Sequence, residues 1–257
     1  MELRGRTALV TGAGRGIGRA TALRLAEAGA GVVVSARSRA EIEEVAGLAR
    51  DRGARAAALT ADVTSAEQVA RLFAEARSAL GPIDVLVNGA GVAPSALVAK
   101  TSEAQWRAAI ETNLSGAFYC MREAIGPMAE RGWGRIVSLA SIAGKTGYPY
   151  IGAYAASKHG LLGLTKCAAL EVATRGVTVN AVCPGYVDTP MTDVSVARIV
   201  EKTGLAAADV RKRLEETSPQ KRLFDAEEVA ALVLFLCGED ARGITGQALS
   251  LDGGTLV

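Results

Sequence analysis

The chain has 257 residues, 49% of them hydrophobic, and its 29 basic residues nearly balance 27 acidic ones. A net charge of +2 gives no electrostatic basis for nucleic-acid binding, and no apolar run approaches the roughly 18 residues that a membrane-spanning helix needs. Residues 1–6 lead directly into an apolar segment without room for a signal peptide. We therefore expect a cytoplasmic protein without membrane or nucleic-acid partners.

Strand-like and helix-like segments alternate along the chain, which is typical of a parallel sheet covered by helices on both faces. The predicted strands cover residues 7–10, 32–34, 55–60, 83–87, 135–139, 177–182 and 247–251. The predicted helices cover residues 17–28, 39–52, 65–80, 103–130, 153–173 and 225–237. Ser65, with Gln68 three positions later, predicts a capping box at the start of one of them. No linker or repeat divides the chain, so we predict a single domain over residues 1–257.

One helix and the cysteines give two further predictions, about packing and about metal binding. The helix predicted at residues 153–173 is apolar or small almost all round, which favours a second buried face such as a subunit interface; an alanine-rich composition is the alternative explanation. The cysteines lie far apart with no Cys-x-x-Cys pair, and a single histidine cannot build a zinc site, so no metal is expected. We predict buried free thiols in a reducing compartment at Cys120, Cys167, Cys183 and Cys237.

A glycine-rich turn joins the first strand to the first helix. Its spacing is Gly12-x-x-x-Gly16-x-Gly18, and Ile17 begins the helical pattern. Glycines let the backbone approach phosphates closely, and a helix N-terminus offers unpaired N–H groups and a positive dipole end. The position of this turn predicts binding of a dinucleotide in a Rossmann-type, doubly wound α/β fold.

The cofactor preference is predicted from the residues that follow the second strand. In NAD sites a carboxylate about 20 residues past the turn binds the ribose 2′-hydroxyl, but this chain has Ser35-Ala36-Arg37 there. Arg15 lies inside the glycine turn itself. Two guanidinium groups at this place favour the 2′-phosphate of NADP(H).

A phenol and an ammonium lie four residues apart on a predicted helix, at Tyr154 and Lys158. Reduction of a ketone needs a proton donor beside the developing alkoxide, and a neighbouring Lys⁺ lowers the pKa of a tyrosine. Ser141 lies just past the fifth strand, where its hydroxyl is suited to hold a carbonyl oxygen. Asn113 lies in mid-helix, a poor place for asparagine by propensity, which indicates either a backbone hydrogen bond or a function.

Together these motifs resemble the short-chain dehydrogenase/reductase family over essentially the whole chain. The resemblance implies a catalytic tetrad in which Tyr154 is the general acid/base, Lys158 binds the nicotinamide ribose and lowers the tyrosine pKa, and Ser141 orients the carbonyl. Asn113 would hold a water in a proton relay. The resemblance also implies a homotetramer and further cofactor contacts at Asp62, Val63, Asn88, Ala90, Pro184, Gly185, Val187 and Thr189.

The substrate is less well specified. The stretch from about 190 to 218 predicts a helical lid whose apolar side consists of Met191, Val194, Val196, Ile199 and Val200. The other pocket candidates are mostly apolar or aromatic, namely Pro94, Ile142, Ala143, Tyr148, Tyr150, Ile151 and Tyr186. Nothing among them favours a small charged substrate.

Among relatives, the chain resembles 3-oxoacyl-carrier-protein reductases and aromatic polyketide ketoreductases. We therefore predict NADPH-dependent reduction of a 3-oxoacyl thioester or a polyketide-like ketone. The alternatives are a catabolic dehydrogenase of a hydroxyacyl-CoA, 3-hydroxybutyrate or other secondary alcohol, and, more remotely, an inactive nucleotide-sensing scaffold. An acyl carrier protein would meet a basic surface for which the candidates are Arg131, Arg135, Arg211, Lys212, Arg213, Lys221 and Arg222.

Overall fold

Seven parallel strands form one sheet in the order β3-β2-β1-β4-β5-β6-β7, as the predicted doubly wound α/β fold requires. The computed structural model describes residues 2–256. The strands are β1 (Thr7–Thr11), β2 (Gly31–Ala36), β3 (Ala56–Thr60), β4 (Val85–Asn88), β5 (Gly134–Leu139), β6 (Val177–Pro184) and β7 (Ala248–Leu251). The central strands β1, β4 and β5 are buried on both faces, which explains the apolar runs at residues 8–10, 85–87 and 136–137.

Helices cover both faces of this sheet. They are α1 (Gly16–Glu27), α2 (Arg39–Asp51), α3 (Ala66–Leu80), α4 (Glu103–Ile110), α5 (Gly116–Arg131), α6 (Gly152–Val172), α7 (Pro190–Thr203), α8 (Ala207–Glu215) and α9 (Ala226–Cys237). Strand alternation divides the core between the faces. Ala8 and Val10 pack with α1, α2 and α9, whereas Leu9 packs with α3, α5 and α6.

The strand order reverses beside β1, because β1 pairs with β2 on one side and with β4 on the other. Thr11 and Asn88 are partners at the carboxyl ends of β1 and β4. In such sheets ligands bind in the crevice at this reversal. The topology therefore assigns the glycine-rich turn and the loop after β4 to one place.

Three local predictions are corrected by the structure. Ser65 does cap α3, accepting from the Gln68 backbone N–H at 3.3 Å, but the Gln68 side chain accepts from the Asp62 N–H instead of completing the box. Residues 83 and 84 precede β4 rather than belonging to it. The long helix predicted at 103–130 is interrupted by a π-helical turn at Glu111–Ser115, between α4 and α5.

The predicted lid consists of the two helices α7 and α8. Their contact is a small apolar core in which Val196 is joined by Ile199 and Val200 from α7 and by residues of α8. These three residues therefore do not form a pocket-facing side together with Met191 and Val194, which are exposed. Helical periodicity identified the apolar residues but not the partner helix that covers them.

Helix α6 is buried against the sheet, yet it keeps an exposed apolar residue, Leu170, on its outer face. Cys167 is exposed on the same helix, so the prediction of a buried thiol is wrong there. The other three cysteines are buried, and burial raises the pKa of the Cys120 and Cys237 thiols to about 12. Within residues 2–256, no helix has both the length and the hydropathy that crossing a bilayer demands.

Candidate active site

The glycine-rich turn is built for close backbone approach. Gly12 has φ of 65° and lies so near the loop after β4 that a Cβ atom would be 2.6 Å from the Ala90 nitrogen. A Cβ on Gly18 would lie 2.2 Å from the Gly12 oxygen. The helix that follows has no side-chain cap, since its N-cap is Arg15 in an extended conformation. Its first N–H groups are thus available to an anionic ligand.

The carboxyl ends of β2 and β3 border the next part of the crevice. Arg37 follows β2 and is exposed. Burial opposes ionisation of Asp62, but hydrogen bonds from Thr64 and the nearby Arg37 hold the pKa of the Asp62 carboxyl below its usual value. Val63 is buried beside it, packed against Gly116 of α5. Arg15 also reaches this region, with its guanidinium 3.8 Å from the carboxylate of Glu41.

The loop after β4 is fixed to β1 by Thr11, whose hydroxyl accepts from the N–H groups of Gly89 and Ala90 at 3.2 and 3.4 Å. Asn88 donates to Ser138 at 3.3 Å, while its Oδ1 is buried without a hydrogen-bond partner in the described part of the chain. Such an orphaned acceptor carries a cost unless a ligand donor or a water satisfies it.

The end of β6 closes the other side of the crevice. Pro184 ends the strand, and the Gly185 N–H donates to Leu251 at 3.0 Å. Val187 is buried, and Thr189 precedes α7 with its side chain against Gly16 of the glycine turn. The predicted cofactor residues after β1, β2, β3, β4 and β6 thus lie along one edge of the sheet.

These residues fit a nicotinamide dinucleotide. The uncapped N-terminus of α1 and the close-approach glycines suit the pyrophosphate. The unpartnered Asn88 Oδ1 and a second buried orphan, the Ser35 hydroxyl, lie at the strand ends that border the same crevice. When bound, the nicotinamide supplies or accepts a hydride.

Tyr154 and Lys158 lie one turn apart on α6, and the Lys158 ammonium is 5.6 Å from the tyrosine ring centroid. Lys158 is buried with its Nζ donating to the Leu139 carbonyl at 2.7 Å. Burial lowers the pKa of Lys158 to about 8. Burial also raises the pKa of Tyr154, and a hydrogen bond with Ser141 partly offsets that rise. The tyrosine is therefore a neutral phenol, able to donate a proton.

Asn113 lies in the π-helical turn between α4 and α5. Its Oδ1 accepts from the Val92 N–H at 2.8 Å, and its Nδ2 donates to the Val92 carbonyl at 2.9 Å and to the Ser157 hydroxyl at 2.9 Å. Ser157 in turn donates to the Tyr154 carbonyl at 2.7 Å. The asparagine therefore joins the loop after β4 to the helix that carries the tyrosine.

Two residues with a part in this arrangement were missed at the level of sequence. Ser157 lies between the tyrosine and the lysine, and only its bond to Asn113 distinguishes it from a small packing residue. Gly91 lies where a Cβ would be 3.4 Å from the Asn113 Oδ1 and 3.9 Å from the Lys158 Nζ. Nothing in the spacing of the sequence indicated that the Asn113 Oδ1 and the Lys158 Nζ both lie beside Gly91.

The predicted substrate residues lie on separate segments around Tyr154. Ile142 and Ala143 are buried in a short 3-10 turn directly after Ser141. Tyr150 has an unusual φ of 70°, and its carbonyl accepts from the Ala96 N–H at 2.7 Å, beside an isolated bridge between Ala96 and Ile151. The remaining candidates are partly or largely exposed around the opening, namely Pro94, Tyr148, Tyr186 and Met191.

The seven basic residues predicted to form one docking surface are dispersed instead. Arg135 is buried at the amino end of β5 and donates to Gly134 and Gly176, and Arg131 donates to Ile83 at the same remote edge. Elsewhere, ion pairs join Arg211 to Asp188 and Asp193, and Arg222 to Glu228, while Lys221 donates to the Glu216 carbonyl. Lys212 and Arg213 on α8 are exposed and have no ion pair within residues 2–256.

Comparison with known proteins places the chain in a family. A family model described as enoyl-(acyl carrier protein) reductase matches residues 12–255. The chain is 40% identical over 255 residues to D-beta-hydroxybutyrate dehydrogenase of Rhizobium meliloti, covering 97% of this chain and 98% of that protein. It is 38% identical over 250 residues to a 3-oxoacyl-(acyl-carrier-protein) reductase of Staphylococcus epidermidis, covering 97% and 98%.

A solved structure is also similar to this chain. A variant of actinorhodin polyketide ketoreductase, crystallised with NADPH, superposes with a TM-score of 0.95 at 38% identity and covers 99% of both chains. The chain belongs to the short-chain dehydrogenase/reductase family, as its motifs predicted. It is an oxidoreductase that uses a nicotinamide cofactor and acts on a ketone or the corresponding alcohol.

Proposed function

We propose that this protein reduces a 3-oxoacyl thioester or a polyketide-like ketone with NADPH. The observation that carries the proposal is the cluster of Tyr154, Ser141 and Lys158, held beside the crevice that the glycine-rich turn borders. The whole of residues 1–257 acts as one unit in the cytoplasm, and the chain functions as a homotetramer.

In the proposed mechanism Tyr154 is the general acid for reduction. The Ser141 hydroxyl holds the substrate carbonyl oxygen, and the Tyr154 phenol donates its proton to this oxygen as negative charge develops. Lys158 then stabilises the tyrosinate electrostatically. In alcohol oxidation the same tyrosine acts as the base. Lys158 is buried and Ser141 and Tyr154 are half-buried, so water screens these interactions less than it would at the surface.

Asn113 completes the tetrad as the residue that organises a proton relay. Its side-chain contacts to Val92 fix the loop after β4. The gap beside Gly91 lies between the Asn113 Oδ1 and the Lys158 Nζ, which supports a water at this point. That water would return a proton to Tyr154 through Lys158 after each turnover.

The preference for NADP(H) rests on the absence of a carboxylate directly after β2. Arg37 occupies that region, and Arg15 approaches it from the glycine turn. The phosphorylated cofactor in the actinorhodin ketoreductase structure supports the same preference. Gly12, Gly16, Ile17 and Gly18 would hold the pyrophosphate, Asp62 and Val63 the adenine, and Asn88, Ala90, Pro184, Gly185, Val187 and Thr189 the remainder of the cofactor.

The proposed substrate class rests on the partly apolar opening and on two relatives, the 3-oxoacyl reductase and the polyketide ketoreductase. If the substrate is carried by an acyl carrier protein, its acidic surface would meet Lys212 and Arg213 of α8, whose charges are unpaired within the described chain.

A second candidate is the oxidation of a 3-hydroxy acid or its coenzyme A thioester. The 40% identity with a hydroxybutyrate dehydrogenase favours it specifically. An inactive scaffold is disfavoured, because all four tetrad positions retain their side chains and Asn113, Tyr154 and Lys158 are joined through Ser157 and α6.

The proposal is tested by initial rates of NADPH oxidation with acetoacetyl-CoA and with trans-1-decalone. We expect turnover of at least one ketone by the wild type and a loss of about 10³-fold or more in Tyr154→Phe, which keeps the ring but lacks the proton donor. NADPH binding by the variant serves as the control for folding. A variant that keeps most of its kcat would overturn the mechanism. Reduction of NAD⁺ or NADP⁺ with 3-hydroxybutyrate, without turnover of either ketone, would select the second candidate.

A further inference from the structure

We propose that Glu41 is a selectivity residue that weakens binding of the cofactor 2′-phosphate. It thereby reduces the difference in affinity between NADP(H) and NAD(H). The inference rests on the proposed function, since it takes the ribose site to lie between Arg15 and Arg37. Glu41 belongs to the first turn of α2, which Ser38 caps by accepting from the Glu41 N–H at 3.5 Å. Its backbone position is therefore fixed.

The first observation is an ion pair inside the predicted phosphate site. The Glu41 Oε1 lies 3.8 Å from the Arg15 Nη1, and the two side chains are 39% and 71% exposed. One of the two guanidinium groups expected to receive the phosphate therefore already has an anionic partner. Arg37 differs, because it has no ion pair within 4 Å in residues 2–256.

The second observation concerns Gly14, which is not one of the spaced glycines of the turn. Its φ is not positive, so the backbone conformation there does not require glycine. A Cβ at this position would lie 2.7 Å from the Glu41 Oε2 and 2.9 Å from the Glu41 Cβ. Glycine at position 14 thus leaves the space in which the Glu41 carboxylate lies against the phosphate-binding turn.

Through these contacts the charge of Glu41 acts on the bound cofactor, in addition to any part that Glu41 has in stabilising α2. A carboxylate at this place repels the 2′-phosphate dianion and competes for Arg15, whereas a cofactor with a free 2′-hydroxyl has no phosphate beside Arg15 and Arg37 to be weakened. Because the groups are partly exposed, screening limits the effect to about a three- to tenfold change in affinity.

The chain supplies a matched control on the same two helices. Arg19 of α1 and Glu44 of α2 form a similar exposed pair at 3.5 Å, one turn further from the crevice. Glu44→Gln removes the same charge and the same kind of pair without approaching the glycine turn. A general effect of net charge would appear in both variants, and a local effect only in Glu41→Gln.

The experiment is isothermal titration calorimetry of wild type, Glu41→Gln and Glu44→Gln with adenosine 2′,5′-bisphosphate and adenosine 5′-monophosphate. We expect Glu41→Gln to bind the bisphosphate about three- to tenfold more tightly, with the monophosphate changed less than about twofold. Glu44→Gln should match wild type with both. Gly14→Ala, which displaces the carboxylate, should change the bisphosphate affinity in the same direction as Glu41→Gln.

Unchanged or weaker bisphosphate binding by Glu41→Gln overturns the inference and leaves Glu41 as a residue that positions Arg15 or stabilises α2. Arg37→Glu separates this failure from that of the proposed function. If Arg37→Glu weakens both nucleotides equally, the proposed NADP(H) preference fails. If it weakens only the bisphosphate while Glu41→Gln changes nothing, only the role of Glu41 is wrong.

Discussion

At the scale of single residues, the chemistry of Lys158 depends on its burial. It lies 4% exposed on α6, with its ammonium donating to the Leu139 carbonyl. Burial removes water from the charge, and this lowers the pKa of Lys158 from its ordinary 10.5 to about 8. The charge that is proposed to stabilise the tyrosinate is therefore maintained at a cost to the free energy of folding.

The cost predicts a pH dependence of stability. Between pH 8 and 10.5 the unfolded chain holds more protons at Lys158 than the folded protein does, so this residue's contribution to stability rises with pH. The unfolding free energy of Lys158→Met minus that of wild type should therefore fall by about 2 kcal/mol from pH 7 to 9.5. Urea unfolding of the cofactor-free proteins at both pH values measures it.

The difference, not the absolute stability, is informative here, because Tyr154 and the buried cysteines also titrate at high pH. Lys166→Met, at an exposed position on the same helix, is the control for the general effect of removing one lysine charge. A constant difference for Lys158→Met would mean that the lysine charge is well solvated.

At the scale of elements, the loop after β4 is held from two sides. Asn113 in the π-helical turn bonds both backbone groups of Val92. The next carbonyl, that of Ala93, accepts from the Arg198 guanidinium of α7 at 3.0 Å. Helix α7 of the predicted lid and Asn113 are thus connected through two adjacent residues, Val92 and Ala93.

Arg198→Ala should therefore loosen the lid without removing a tetrad member. We expect KM for a bulky ketone to rise by about three- to tenfold, with a smaller change in kcat and in cofactor affinity, because one charged hydrogen bond is lost. Steady-state kinetics measures the changes in KM and kcat separately. Arg213→Ala, on α8 and without an ion pair in the described residues, is the control; equal effects in both variants would remove the link between Arg198 and the pocket.

At the scale of the whole molecule, each of the helices α4, α5 and α6 exposes one large apolar residue. Trp106 is 48% exposed, Phe118 43% and Leu170 80%, although the inner faces of their helices are buried. Arg122 stacks near Phe118 rather than covering it fully. Exposed apolar residues on adjacent long helices are typical of an interface between copies of a chain.

Leu170→Glu should accordingly shift the protein to a smaller assembly, since a charge would be buried at the interface without a partner. Light scattering coupled to size-exclusion chromatography measures the mass. Val98→Glu is the matched control, because Val98 is also 80% exposed but precedes α4 outside these helix faces. An unchanged mass for Leu170→Glu would exclude α6 from the interface.

The sequence by itself determined most of the strand and helix segments, the glycine-rich turn between β1 and α1 and the tyrosine–lysine pair, because these depend on local periodicity and spacing. Tertiary structure decided what depends on distant neighbours. The hydrogen bonds of Asn113 to Val92 and Ser157, the contact of Glu41 with Gly14 and the contact of Val196 with α8 each join residues far apart in the chain. The charge of a side chain did not predict its location either. Arg135 was predicted to be a surface cation, but it is buried at the edge of the sheet remote from the site. Spacing along a strand or helix fixes which side chains share a face, whereas only packing decides what that face meets.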